Sequence, residues 1–229
     1  MFPKIESADI AAVFAGNRLA GDMYDSIRVS PERVLVGLLD VAGRRENNRG
    51  ILTAAQDVFR SVGAELFSRS DLNEADAMTE LNHRINRAII DASKGVHSCP
   101  AFIACYHEKF GTLCYTNAGH TPGLIRDRAG ISQLGSTGLP LGLFSHATTD
   151  APTVGLDKGA AFLLVSRGVV ECSGKGSEEF GLERVQRVLA SVQLTSAHAL
   201  CASVLKAVGE FTAGPMCDDR TALALVRAS

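Results

Sequence analysis

"FLLVSRGVVE", residues 162–171, is the stretch on which the reading of this chain turns. The apolar run from Phe162 to Val165 and one serine lead straight into Arg167, and Gly168 follows. A run that apolar reads as a buried strand, and the glycine after it as a sharp exit. A guanidinium at that point keeps its charge. Two placements are open. Arg167 points into solvent from a loop, or it faces carboxylates brought in from elsewhere in the chain.

Working outward, the N-terminal segments are strand-like. "DIAAVFAG" (9–16), "MYDSIRVS" (23–30) and "RVLVGLLD" (33–40) are short apolar or alternating runs, and "SPE" (30–32) is a tight hairpin link. Two helices follow. Leu52, Ala55, Val58, Phe59, Val62, Leu66 and Phe67 recur at three- and four-residue steps. Asp71 is expected to cap a second helix with Met78, Leu81, Ile85, Ala88 and Ile89 on its inner face. Strands return with "AFIACYHE" (101–108), "TLCYTNAG" (112–119) and "PGLIRD" (122–127), and the glycine-studded "GSTGLPLGLF" (135–144) is a loop. Beyond the opening stretch come helices around "EEFGLERVQRVLA" (178–190) and from Thr195 or Ser196 onward, then a last core strand, "TALALVRA" (221–228).

Hairpin-joined strands with helices arriving in pairs argue an α+β class. The expected architecture is two packed antiparallel sheets with a helix pair on each outer side. With no repeat, low-complexity tract or linker, residues 1–229 read as one domain.

Bulk properties exclude several classes of function. The 229 residues are 46% hydrophobic, enough for a large core. A formal charge of −2 suggests neither a basic nucleic-acid surface nor an acidic tail. No apolar stretch approaches the roughly 20 residues of a membrane span, and "MFPKIESADI" lacks an exported leader's apolar core. A cytoplasmic protein contacting neither nucleic acid nor membrane is expected. Six cysteines without a C-x-x-C pair suit reduced, buried thiols better than a metal knuckle or a disulfide scaffold.

The carboxylates that carry chemistry lie at strand ends. Asp22 sits between two strands in "LAGDMYD", Asp40 terminates "VLVGLLD", and Asp218 and Asp219 precede the last strand. A single aspartate in such a place is a turn former. Several brought together repel by on the order of 4 kcal/mol per pair at an effective dielectric near 20. A divalent cation relieves that repulsion, and all-oxygen donors suit Mg²⁺ or Mn²⁺.

Seven segments in order, "AGDMYD", "LLDVAG", "YTNAGHTPGLI", "GLPLGLF", "LLVSRGVVE", "EEFGLERV" and "DDRTALALV", resemble the PPM family of metal-dependent protein serine/threonine phosphatases. The branch they are most similar to is the bacterial sporulation stage II E type. The resemblance spans about residues 8–227. It implies one or two Mn²⁺ or Mg²⁺ ions held by Asp40, the Val41 carbonyl, Asp22 (partly through water) and Asp218, with Asp219 beside them. It also implies a phosphorylated protein substrate, in signalling or sigma-factor partner switching. "NAGH" reads as structural, with His120 a hydrogen-bonded turn residue and not a ligand.

Two positions depart from the family pattern. Where the family carries a ligand aspartate before the glycine of "VSRGVVE", this chain carries Arg167. The substitution removes a ligand and adds a cation. An inward Arg167 would make a bidentate pair with Asp40 or Asp218, and the domain could then be a pseudophosphatase that binds a protein partner without turnover. The second departure is "AGRRENNRGIL" (42–52), expected to be a solvated loop carrying Arg44, Arg45 and Arg49.

Overall fold

The computed structural model describes residues 2–16, 21–41, 45–93, 97–174, 178–212 and 219–228. One sheet is formed by β1 (Ala8–Ala15), β10 (Arg220–Arg227), β9 (Ala161–Val165), β6 (Gly123–Arg126) and β7 (Ile131–Leu134), in that spatial order. The other is formed by β2 (Gly21–Ser30), β3 (Arg33–Val41), β4 (Ala101–His107), β5 (Thr112–Ala118) and β8 (Thr153–Gly155). Every neighbouring pair is antiparallel.

The two sheets meet through alternate residues. Val34, Val36, Leu38, Phe102 and Tyr115 of one join Phe162, Leu164, Leu223 and Leu225 of the other in a shared apolar layer. The Phe102 ring stacks on Tyr115 at 5.2 Å and tilts against Phe162 at 5.7 Å between centroids. The opposite faces are covered by helices, because a strand buried on both sides needs an apolar partner on each. Met23, Leu35 and Leu39 pack with the inner faces of α1 (Arg45–Phe67) and α2 (Glu74–Ser93). Leu163, Val165, Ala222 and Ala224 pack with α4 (Gly181–Ser191) and α5 (Ala197–Phe211). This is the expected α+β sandwich.

Local details depart from the sequence expectation. The strand in the opening stretch ends at Val165, and Gly168 lies inside a single helical turn, α3 (Arg167–Val170), rather than marking an exit. The cap of α2 is Asn73, whose Oδ1 accepts from Ala75 N at 3.1 Å. Asp71 instead pairs with Arg69 on the surface. The supposed loop after Asp40 is helical from Arg45, with Arg49 exposed on α1; Arg44 and the Arg45 side chain lie outside what is described. The short strands β7 and β8 were not anticipated. Ser196 does cap α5, accepting from Ala199 N at 3.0 Å.

Candidate active site

The inner faces of both sheets lose their apolar character at the same end. Along β3 the inward series Val34, Val36, Leu38 arrives at Asp40. Along β9 the series Phe162, Leu164 arrives at Ser166, and along β10 Leu225 and Leu223 arrive at Thr221, with Asp219 just beyond. A period of two places each polar residue on the face of the apolar residues preceding it. Asp22 lies within β2, not between strands, and stands directly opposite Asp40. Asp22, Asp40 and Asp219 are all buried. Asp218, expected as a ligand, lies outside the described residues.

Close backbone approach explains the glycine preceding Asp22. A Cβ on Gly21 would lie 2.1 Å from the carbonyl oxygen of Val41, so any side chain there would force β2 from β3. Gly16 plays a similar part, since a Cβ there would come 2.4 Å from Asp219 Oδ1. Both residues let backbone close around the acidic end.

Asp22 is under electrostatic strain. Burial pushes its carboxyl up to about 7, with smaller upward contributions from Asp40 and Asp219. Hydrogen bonds from Thr221 and Ser166 oppose that rise. Thr221 Oγ1 donates to Asp22 Oδ2 at 2.7 Å, and Ser166 is itself tied to β10 by accepting from Thr221 N at 3.0 Å. Thr221 and Ser166 were not singled out from sequence; the signal was their place in the inward series.

Arg167 turns inward. Its Nε is 3.5 Å from Asp40 Oδ2 and 3.6 Å from Glu171 Oε2, one turn further along. The pair with Asp40 exists, but as a single long contact and not the expected bidentate one. Charge-assisted hydrogen bonds run about 2.7–2.9 Å. Arg167 remains 47% exposed on its side chain, so it stands over the acids rather than among them.

The surroundings of Asp40 are held by backbone. Asp40 N donates to Pro100 O at 2.9 Å, and Cys99 exchanges hydrogen bonds with Leu141 at 2.9 and 3.1 Å. Asn86 of α2 grips the same loop twice, accepting from Gly142 N at 2.7 Å and donating to Phe144 O at 2.9 Å. A second tether joins α1 to β2, where Arg60 makes a two-point contact with Asp25 at 2.6 and 2.8 Å. Neither tether was foreseen, because each joins residues more than 30 positions apart.

His120 behaves as the turn residue expected. Its backbone N donates to Asn117 Oδ1 at 2.8 Å, and its Nδ1 faces Thr121. Burial pushes its imidazole down to about 4, so it is neutral near pH 7. The buried thiols of Cys99 and Cys201 are each pushed up to about 12 by burial, which keeps them protonated and unreactive.

The donor set is oxygen throughout: Asp22, Asp40, Asp219 and the Val41 carbonyl. That chemistry suits a hard cation such as Mg²⁺ or Mn²⁺. Among the described residues, however, no three acidic, histidine or cysteine groups converge closely enough to hold a metal ion. Arg167 adds positive charge at Asp40. The described residues alone therefore do not complete a metal cage.

Comparison with known proteins identifies the family and the fold. The family model for stage II sporulation protein E (SpoIIE) matches residues 30–228. The chain belongs to the SpoIIE family. It is 24% identical over 230 residues to the phosphoserine phosphatase RsbU of Bacillus subtilis, covering 98% of this chain and 65% of RsbU. It is 23% identical over 251 residues to protein IcfG of Synechocystis, covering 98% of this chain and 39% of IcfG. The chain thus spans less than two thirds of either curated relative. The crystal structure of the RsbU and RsbW domains of Rv1364c from Mycobacterium tuberculosis superposes with a TM-score of 0.80 at 22% identity, covering 100% of this chain and 63% of that one. The sandwich is that of the SpoIIE branch of the PPM phosphatases. Among the described residues, no helix is long and apolar enough to cross a membrane.

Proposed function

We propose that this chain is a SpoIIE-type signalling phosphatase domain whose turnover of phosphoserine or phosphothreonine proteins is held low by Arg167. The carrying observation is the ion pair between Arg167 Nε and Asp40 Oδ2 at 3.5 Å. Asp22, Asp40, the Val41 carbonyl and Asp218 are the residues that would hold Mn²⁺ or Mg²⁺, with Asp219 behind them. A bound ion would supply an activated water and neutralise developing phosphoryl charge. Arg167 acts against that ion. Two unit charges 4 Å apart interact by on the order of 4 kcal/mol at an effective dielectric near 20, and less when half-exposed. One domain over residues 1–229, working in the cytoplasm on a phosphorylated regulatory protein, fits this reading.

The same ion pair favours a second reading. If Arg167 neutralises Asp40 well enough to replace the metal, the domain is a pseudophosphatase that recognises its protein partner without turnover.

Hydrolysis of an aryl phosphate with Mn²⁺, on wild type beside Arg167→Asp, tests the proposal. Weak wild-type turnover that rises at least tenfold in Arg167→Asp is the expected result. Wild-type turnover equal to or above that of Arg167→Asp would overturn it. No detectable wild-type turnover, with strong activity in the variant, would select the pseudophosphatase.

A further inference from the structure

The two sheets have four edge strands, and three of them are guarded. An unpaired strand edge is a template for another strand, and proteins blunt it by short length, charge, proline or a bulge. β7 and β8 are only four and three residues long. β2 carries Arg28 and shifts register between Arg28 and Ser30. Residues 2–7 also lie against it, with Phe2 stacked on Tyr24 and Lys4 O accepting from Arg28 Nη2. β1 has none of these devices. Its eight residues pair with β10 in unbroken register, and its one charged side chain, Asp9, is spent on Ala197 N at 2.7 Å. The rest of the strand is apolar, and Ala11 to Ala15 are only partly buried.

The ladder fixes which backbone groups of β1 are left over. Ala228 N donates to Ser7 O at 2.8 Å, in the register that sets Ala8 opposite Arg227. Backbone groups point alternately to the two sides of a strand. Ser7, Asp9, Ala11 and Val13 therefore turn toward β10, and Ala8, Ile10 and Ala12 turn away from it. The far side of β10 agrees. Arg227 N donates to Ala160 O, and Thr221 O accepts from Ser166 N, so its odd-numbered residues face β9 and its even-numbered ones β1. Among the described residues, no hydrogen-bond partner meets the backbone groups of Ala8, Ile10 and Ala12. Phe14 and Ala15, at the end next to residues 17–20, are not needed for this.

The occupant that fits this edge is the same strand inverted. An antiparallel copy of β1 offers N–H and C=O groups at the same spacing, over the same length, with the same uncharged side chains. Two such edges consume each other, so assembly closes at two copies. β1 runs toward the acidic end, where Ala15 stands opposite Arg220 and Phe14 opposite Thr221. Antiparallel pairing therefore points the two acidic ends in opposite directions and leaves each of them open.

We propose that β1 pairs with β1 of a second copy of this chain, antiparallel across a two-fold axis, joining two five-stranded sheets into one of ten strands. The dimer draws nothing from the acidic end, so it stands whether or not the domain turns over a phosphoprotein.

Sedimentation equilibrium and amide exchange by NMR, both on the whole chain, test this. Wild type is expected to reach twice the monomer mass. The amides of Ile10 and Ala12, which have no partner inside the chain, are expected to exchange slowly at high concentration and fast on dilution. Ala12→Pro removes an outward N–H without touching the β10 ladder, a placement in which an edge strand tolerates proline. It is expected to raise the dissociation constant at least tenfold. Gln133→Pro makes the same change on β7, where Asp127 N donating to Gly130 O fixes residue 133 as outward, and is expected to leave the dimer unaltered.

A wild type that stays monomeric at every concentration would overturn the proposal, as would a dimer in which Ile10 and Ala12 exchange freely. A folded Ala12→Pro that associates as well as wild type, or a Gln133→Pro that dissociates as readily as Ala12→Pro, would overturn it too. Should Ala12→Pro fail to fold, the exchange of Ile10 and Ala12 in the wild type decides alone.

Discussion

The middle of the sandwich and its acidic end are built from the same strands by the same alternation, yet they differ in what holds them. In the middle, Phe162, Phe102 and Leu223 are fully buried and interchangeable in kind, each contributing apolar area. At the end, Asp22, Asp40, Ser166, Asp219 and Thr221 occupy the continuation of those faces, and each depends on a particular neighbour. The backbone places both regions equally well; the second is held by specific hydrogen bonds, such as that from Thr221 to Asp22. A core is specified by pattern, a site by pairings.

The largest effect should come from the middle. Phe162→Ala removes a fully buried ring that packs on Phe102, and a loss of about 3–5 kcal/mol in urea denaturation is expected. A loss below 1 kcal/mol would mean the inter-sheet layer is far looser than it looks.

His120 gives the next effect, through pH. Its folded pKa, about 4, lies below the ordinary value of 6.5, so the unfolded chain binds the extra proton first as pH falls. The stability from keeping it neutral is therefore complete above pH 6.5 and is lost as pH falls toward 4. The loss is on the order of 3 kcal/mol. Denaturation of His120→Asn, compared with wild type between pH 7 and 4, should show a shallower decline; parallel curves would refute the assignment.

Asn86 tests how the site's flank is held. Asn86→Ala leaves Gly142 N and Phe144 O without their partner and should cost about 2 kcal/mol, with faster amide exchange at Gly142. Unchanged exchange there would show that the Cys99–Leu141 contacts suffice alone.

Thr221→Val is the smallest change. It deletes the 2.7 Å hydrogen bond to Asp22 and should cost about 1 kcal/mol. That bond lowers the carboxyl's pKa, so its loss should move Asp22 further upward, as carbonyl infrared titration would detect. A downward movement would contradict the bond's role.

The contrast between middle and end also explains how much was legible beforehand. The helix faces of α1 and α2 and the apolar strands follow from spacing alone, because burial rewards any apolar residue at the right period. Asp22 was placed in a connection because glycine and aspartate together resemble a turn. Gly21 is needed instead for the close approach of the Val41 carbonyl, which no one-dimensional pattern reveals. Asp71 was expected as the cap of α2, but Asn73 caps it and Asp71 pairs with Arg69, a difference set by the path of the chain. Arg167 could be placed at a strand end, but the direction of a long side chain depends on Asp40 more than 100 residues away.

The position of β10 bears on how the protein is made. It is the last described strand in the chain, yet it lies between β1, the first, and β9. While the chain is being synthesised, β1 has no neighbour in its sheet until some two hundred further residues have emerged. The second sheet needs nothing beyond β8, so it can assemble first, exposing the inner face that its counterpart will later cover. Asp22 and Asp40 therefore meet early, and Thr221 and Asp219 reach them only when the final strand is threaded into place. Until then a nascent chain holds half of the candidate site.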